Sequence, residues 1–522
     1  MAEIKLYDTT LRDGAQTEGI SYSVQDKIRI TRKLDDLGIH YIEGGWPGSN
    51  PKDWEFFRLM KKNRLKNSQL VAFGSTRKAN IKANQDNNLN KLVLANTKVI
   101  TIFGKSWDLH VRDVLKTTLE ENLKIISDSI KFLKTKGKTV FYDAEHFFDA
   151  YKANPDYALK TILTAQDAGA NVIVLCDTNG GTPQSELKNI ITKIKPYIKT
   201  ELGIHTHNDL DLAVANSITA FELGISQIQG TFNGLGERCG NANLCSIIGI
   251  LTTKMGVNCI PKSKLKELTE TSHYISEVSN VKHQDNQPFV GHSAFAHKGG
   301  VHIDAMLKNP STYEHINPHL VGNHRRILVS ELAGKMPIIL KAQEMELNLN
   351  KKSPKTKKIL KLLQDMEHRG YQFEAADASF ELFMKRAFKK YKKFFDLESF
   401  KVVVEKRLDG SVVSEAIIRL SVNKKERYTA AEGDGPVNAL DNALRKALNE
   451  FYPNLAKMHL SDFKVRVLDE KAGTAAKVRV LIESQDDSDD WTTVGVHENI
   501  IEASWQALVD SIEYKLLKDK VK

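Results

Sequence analysis

Leu202-Gly203-Ile204-His205-Thr206-His207-Asn208-Asp209 is the stretch that decides the reading of this chain. An apolar run ends in two histidines two residues apart, and strand alternation turns both imidazoles to one face. Two such rings can grip a single metal ion, or they can close a strand with ordinary hydrogen bonds. The choice depends on what the fold brings beside them.

Up to about residue 275, β-rich runs begin near Ile4, Tyr41, Leu70, Val99, Thr139, Val172, Leu202 and Ser226. They alternate with stretches of helical period, such as the helix predicted over Val114 to Thr135. Eight such units predict an α/β fold, a (β/α)8 TIM barrel in preference to an open sheet. Chemistry in that fold sits at the C-terminal strand ends. Polar clusters fall there: Asp8 to Gln16, Asp143 to His146, Asp177 to Asn179, His205 to Asp209 and Asn233 to Asn243.

At 522 residues the chain exceeds a single core, which stops growing near about 250–300 residues. The expected division is a catalytic barrel over 1–275, a helical linker region over 276–392 and a C-terminal α+β domain over 393–522. The last part carries a faint internal repeat. Pro436-Val437-Asn438-Ala439 with Ala443-Leu444 aligns on Ile500-Ile501-Glu502-Ala503 with Ala507-Leu508, an offset of 64 residues. Strand-like runs at Ala416 to Val422 and Val478 to Ile482 precede the two predicted helices. Such a module suits ligand sensing, dimerisation or plain packing.

Hydrophobic residues at 41% and charged residues at 27% are ordinary for a globular protein, and no apolar run approaches the ~20 residues of a membrane span. A cytoplasmic location with no membrane partner is expected. Cys176, Cys239, Cys245 and Cys259 form no CxxC pair, so all four are expected as buried reduced thiols. The net charge of +10 includes lysine-rich stretches at 351–358 and 385–393 without interleaved aromatic stacking residues. No nucleic-acid partner is expected; an anionic cofactor would still be attracted.

Asp13, after the first strand, would meet His205 and His207 at the barrel mouth, with Asn241 offering a neutral oxygen. Mixed oxygen and nitrogen donors suit Mn2+, Mg2+, Co2+ or Zn2+ acting as a Lewis acid. Arg12 can salt-bridge an acid or stabilise a developing oxyanion. Glu145 and Thr178 can serve as strand-end hydrogen-bonding groups or as substrate ligands. The glycine-dense block Asn233 to Asn241 lacks GxGxxG spacing and follows the last strand, so it is no dinucleotide fingerprint.

Asp8-Thr9-Thr10-Leu11-Arg12-Asp13-Gly14-Ala15-Gln16, Gly203 to Asp209 and Gly234 to Asn241 together resemble the motifs of the DRE-TIM metallolyase superfamily. The resemblance spans nearly the whole chain and points to the branch of isopropylmalate, homocitrate and citramalate synthases. It implies metal binding by Asp13, His205 and His207 with Asn241 nearby, Mn2+ being the first expectation. It implies that Arg12 stabilises charge on the reacting oxygens. Ala296-His297-Lys298-Gly299-Gly300-Val301-His302-Ile303-Asp304 resembles a linker feature that reaches the partner subunit's site, which makes His302, Asp304 and Tyr313 candidates for handling acetyl-CoA.

The implied reaction is a Claisen-type condensation of acetyl-CoA with a 2-oxo acid, with His302 as the candidate base. Glu43-Gly44-Gly45-Trp46-Pro47-Gly48-Ser49-Asn50-Pro51 resembles the pyruvate-using citramalate members more than the isopropylmalate ones, and Trp46 could narrow the pocket toward a methyl group. The C-terminal repeat resembles the family's allosteric domain, implying a homodimer and isoleucine as feedback ligand. The alternatives are isopropylmalate synthase acting on 2-oxoisovalerate, a carbon–carbon lyase of the same barrel, and a noncatalytic metal or ligand sensor.

Overall fold

Side chains alternating inward and outward build the N-terminal half. In the computed structural model, which describes residues 4–328, 339, 342, 354–373, 376–468 and 476–519, eight parallel strands close into a barrel in sequence order. They are β1 (Lys5–Asp8), β2 (Tyr41–Gly45), β3 (Gln69–Ser75), β4 (Val99–Lys105), β5 (Thr139–Glu145), β6 (Val172–Asp177), β7 (Glu201–Thr206) and β8 (Gln227–Gly230). β1 pairs with β8 from Lys5↔Gln227 to Asp8↔Gly230, which closes the ring. The lysine-rich stretch at 351–358 begins outside the described residues.

Inward-facing Tyr7, Val71, Val99, Phe141, Val172 and Val174 plug the barrel interior. Outward-facing Leu6, Ile42, Ala72, Ile100, Ile173, Ile204 and Ile228 pack against the surrounding helices. This two-sided burial explains why the strands read as nearly continuous apolar runs. Helix Val24–Leu37 starts in a capping box of Ser23 and Asp26 and stops at Gly38, whose φ of 94° favours glycine. The helix predicted from Val114 begins instead at Leu119: Lys116 takes a φ of 52°, and the Thr118 side chain accepts a hydrogen bond from Glu121 N.

The described chain forms two compact units, one of residues 1–295 and 315–325, the other of 296–314 and 326–522. In the second, helices Gly300–Lys308, Pro354–His368 and Asp377–Ala387 occupy the region expected to be helical. A short parallel pairing of Ala296–His297 with Arg326–Ile327 interrupts it. The internal repeat is a doubled βββα unit. Asp396–Lys406, Val412–Val422 and Lys425–Gly433 precede helix Pro436–Leu448, and His459–Val467, Val478–Gln485 and Asp490–His497 precede helix Ile500–Lys518. Only the central strand of each antiparallel sheet carries the strict alternation that the sequence displays, because Ala416, Ile418, Leu420, Val480 and Ile482 face the core with Leu444 and Leu508.

Cys176, Cys245 and Cys259 are buried free thiols. Cys239 is exposed, because it lies in the turn between Arg238 and Gly240, both of positive φ. Among the described residues no helix is long and apolar enough to cross a membrane.

Lys27 and Asp53 form an ion pair with side chains only 6% and 7% exposed. Asp53 also accepts from Trp46 N at 2.8 Å and packs against Gly45, where an added Cβ would approach Asp53 Oδ2 to 2.3 Å. This contact shapes the segment that follows β2. Asp53→Ala leaves the ammonium buried with the Gly44 carbonyl but without a counter-charge and should cost about 3–5 kcal/mol in urea unfolding, whereas Asp53→Leu combined with Lys27→Met should recover most of that loss.

Candidate active site

The loop after β1 is wound by its own side chains. Asp8 accepts from Thr10 N at 3.0 Å and Thr10 Oγ1 at 2.8 Å, and Phe232 N donates to Thr10 Oγ1 at 2.9 Å. Burial pushes the Asp8 carboxyl up to about 7. The turn delivers Arg12 and Asp13 to the barrel mouth. Asp13 Oδ2 lies 3.4 Å from His205 Nε2 and 3.9 Å from His207 Nε2, with all three residues buried.

Burial opposes the charge of Asp13, but Arg12 and then the His205 hydrogen bond outweigh it and hold the carboxyl well below its usual range. Burial likewise works against protonation of His205, and the adjacent Asp13 reverses it, raising that imidazole above 6.5. His207 is pushed down to about 4 by burial, with His205 adding to the effect.

Asp13, His205 and His207 each offer a ligand atom, all within 4.8 Å of one another. Asn241 is bridged to His207 across the backbone, and its Nδ2 donates to Leu235 O at 3.1 Å. Its Oδ1 is buried without a hydrogen-bond partner. A carboxylate and two imidazoles so close together form the donor set of a divalent cation, and the orphaned oxygen belongs to a residue bridged to one of them, so these residues fit a metal. Gln229 supplies the outer support: its Nε2 donates to Asp143 Oδ1 at 3.3 Å, leaving Oε1 to accept from His205 Nδ1 at 3.0 Å. That tautomer frees the lone pair of His205 Nε2 for a ligand bond.

Several residues that shape this site received no role from the sequence. Glu43, wholly buried, accepts from Arg12 Nε at 2.5 Å and also from Tyr7 OH, which contacts Thr101 Oγ1 at 2.8 Å. Its signal was inward parity, two residues from Tyr41 on β2. Asp143 is pushed up to about 7 by burial and then by Glu43. Arg238 holds three strand ends together through Asp209 at 2.8 and 2.9 Å, Thr178 O at 2.8 Å and His207 Nδ1 at 3.1 Å.

Glu145 is ion-paired with Lys105 at the β5 end, and Thr178 Oγ1 accepts from His146 N at 2.9 Å. His302, Asp304 and Tyr313 lie in the second unit. There the His302 ring stacks on Tyr313 with centroids 4.2 Å apart, and Asp304 pairs with Lys308 at 2.8 Å.

The HMGL-like family model matches residues 3–275, the homocitrate synthase post-HMGL domain-like model 289–370, and the LeuA allosteric (dimerisation) domain model 374–516. An (R)-citramalate synthase of Geobacter sulfurreducens is 57% identical over 100% of this chain and 99% of its own. The chain belongs to the (R)-citramalate synthase family. A second member, from Aquifex aeolicus, is 56% identical over 100% of this chain and 99% of its own. A 2-isopropylmalate synthase of Methanocaldococcus jannaschii stands further off, at 32% identity over 99% of this chain and 95% of its own.

A protonated imidazole cannot ligate, so protons compete with the metal at His205. Mn2+ affinity measured by calorimetry should weaken as pH falls, with the loss setting in above 6.5, the ordinary histidine value. Asn241→Ala should weaken Mn2+ by roughly 10-fold or more. Affinity indifferent to both changes would remove the ion from this site.

Proposed function

We propose that the protein condenses acetyl-CoA with pyruvate and water to give (R)-citramalate and free coenzyme A. The observation that carries this reading is the buried Asp13, His205 and His207 cluster beside Arg12, in a chain that aligns end to end with (R)-citramalate synthases. A divalent ion held by that cluster and Asn241, Mn2+ first, would supply Lewis-acid polarisation of the 2-oxo acid.

Arg12 takes the developing oxyanion. Its Nε is committed to Glu43 and its Nη1 lies 3.3 Å from Asp13, while its Nη2 has no acceptor among the described residues. That fixed donor edge suits charge that appears only during reaction. Thr178 binds the carboxylate end of the acceptor and Glu145 orients the reactants. His302 accepts the methyl proton of acetyl-CoA, and the carbanion attacks the keto carbon; water then cleaves the thioester and coenzyme A leaves as the free thiol.

We further propose a homodimer in which the second unit of one copy supplies His302, Asp304 and Tyr313 to the other. The LeuA allosteric (dimerisation) match supports this and supports an amino-acid effector, isoleucine in the first instance, as the product-end signal of a pyruvate route to isoleucine. The division at 1–275, 276–392 and 393–522 is proposed on the same grounds.

Thiol release from acetyl-CoA with Mn2+ tests the function: pyruvate should support it well above 2-oxoisovalerate, 2-oxoglutarate or no acceptor. Preference for 2-oxoisovalerate would overturn the substrate, and acceptor-independent release the reaction. Arg12→Lys should lower kcat about 100-fold or more while leaving Mn2+ affinity nearly unchanged.

A further inference from the structure

We infer that His146 is a positioning residue: its imidazole holds the end of β5 in a left-handed backbone conformation, from which its amide fixes the hydroxyl of Thr178 for the carboxylate of the 2-oxo acid. This rests on the condensation reading above, in which Thr178 binds that carboxylate.

His146 follows Glu145 at the end of β5 and takes φ 55° and ψ 34°. A residue with a Cβ rarely adopts that conformation, and strain of this kind persists only where the surroundings over-determine it. They do so here from two sides of a ring that is only 12% exposed. On one side His146 Nδ1 lies 3.2 Å from Asp149 Oδ2. Burial opposes the charge of Asp149, but His146 and then Lys152 outweigh it and hold the carboxyl below its usual value, so the carboxylate accepts and the ring donates. On the other side the ring meets His110, from the loop after β4, edge-on with centroids 4.5 Å apart. Trp107 backs both imidazoles, at 5.3 Å from His110 and 5.7 Å from His146.

The consequence falls on the end of β6. His146 N donates to Thr178 Oγ1 at 2.9 Å, while Arg238 Nη2 donates to Thr178 O at 2.8 Å, so side chain and main chain are both held. Asp149 Oδ2 also accepts from Asn179 Nδ2 at 2.9 Å, a second tie between the two strand ends. A hydroxyl oxygen that accepts from an amide still has its own hydrogen to give, in a direction the amide restricts. If His146 left the left-handed region its N–H would turn away and that hydroxyl would rotate freely, losing the orientation that a carboxylate partner needs.

Pyruvate binding to the Mn2+-loaded protein without acetyl-CoA, read by calorimetry, tests this apart from turnover. His146→Ala removes both holds on the backbone and should weaken pyruvate about 10-fold or more, the range of a hydrogen bond to a charged group, with Mn2+ affinity kept within about 2-fold. His146→Asn, which tolerates positive φ and keeps an amide donor for Asp149, should recover most of that loss. His146→Gly, at ease in the same conformation but with no side chain to keep it there, should not. In a Thr178→Val background His146→Ala should weaken pyruvate by less than about 2-fold more, because the hydroxyl it acts through is gone. Unchanged pyruvate affinity in His146→Ala, or a full additive loss in the double variant, would overturn the inference. If His146→Ala does not fold, Asp149→Ala frees the ring and Asn179 from the helix side and should weaken pyruvate in the same direction; unchanged affinity there overturns the inference equally. A wild-type protein that binds pyruvate, and loses it in His146→Ala, yet releases no thiol from acetyl-CoA would sink the condensation and leave His146 its role.

Discussion

The hydrogen-bonded pair of Arg12 and Glu43 is the constraint on which the mouth of the barrel depends. A guanidinium cannot shed its charge, and so close to a barrel interior it must find anionic partners. Glu43 meets that demand from β2, and Tyr7 on β1 holds the opposite carboxyl oxygen. With Nε committed, the plane of Arg12 is fixed between Asp13 on one side and the face of Phe73 on the other.

Charge is unevenly distributed there. Asp13 stays low because Arg12 and His205 face it directly, while Asp143, deeper and near Glu43, is driven up to about 7 by burial. Two carboxyls at different depths thus differ in proton affinity, one beside the two imidazoles and one as anchor of the Gln229 bridge to His205. Arg238 secures the opposite rim by joining the loops after β6, β7 and β8. The mouth is braced on both sides, which limits how far a ligand set can drift.

The C-terminal part follows a simpler physical plan. Each three-stranded sheet lays one face on one helix, and both meet in a common apolar cluster that includes Ala416, Ile418, Leu444, Ile482 and Leu508. Small residues in the helices, Ala439 and Ala443 in one and Ala503 and Ala507 in the other, permit close approach to the sheets. These alanines are the letters that made the repeat visible.

By itself the sequence determined the barrel, the order of its strands and the cluster of Asp13, His205 and His207, because alternation and strand-end chemistry are local and survive in one dimension. It also announced the C-terminal repeat, though only through the central strands and the helices, since the edge strands are either mostly exposed, as His459–Val467 is, or buried on both faces, as Asp490–His497 is, and neither alternates clearly. Tertiary structure alone decided the partner of Arg12, the orphaned oxygen of Asn241, the Gln229 bridge and the aromatic side of the mouth. Glu43 and Phe73 read in the sequence as one more strand acid and one more strand aromatic. Their roles arise when closure of the ring carries residues from strands distant in sequence into one small, nearly dry space, where each polar atom must find a partner and each ring a neighbour.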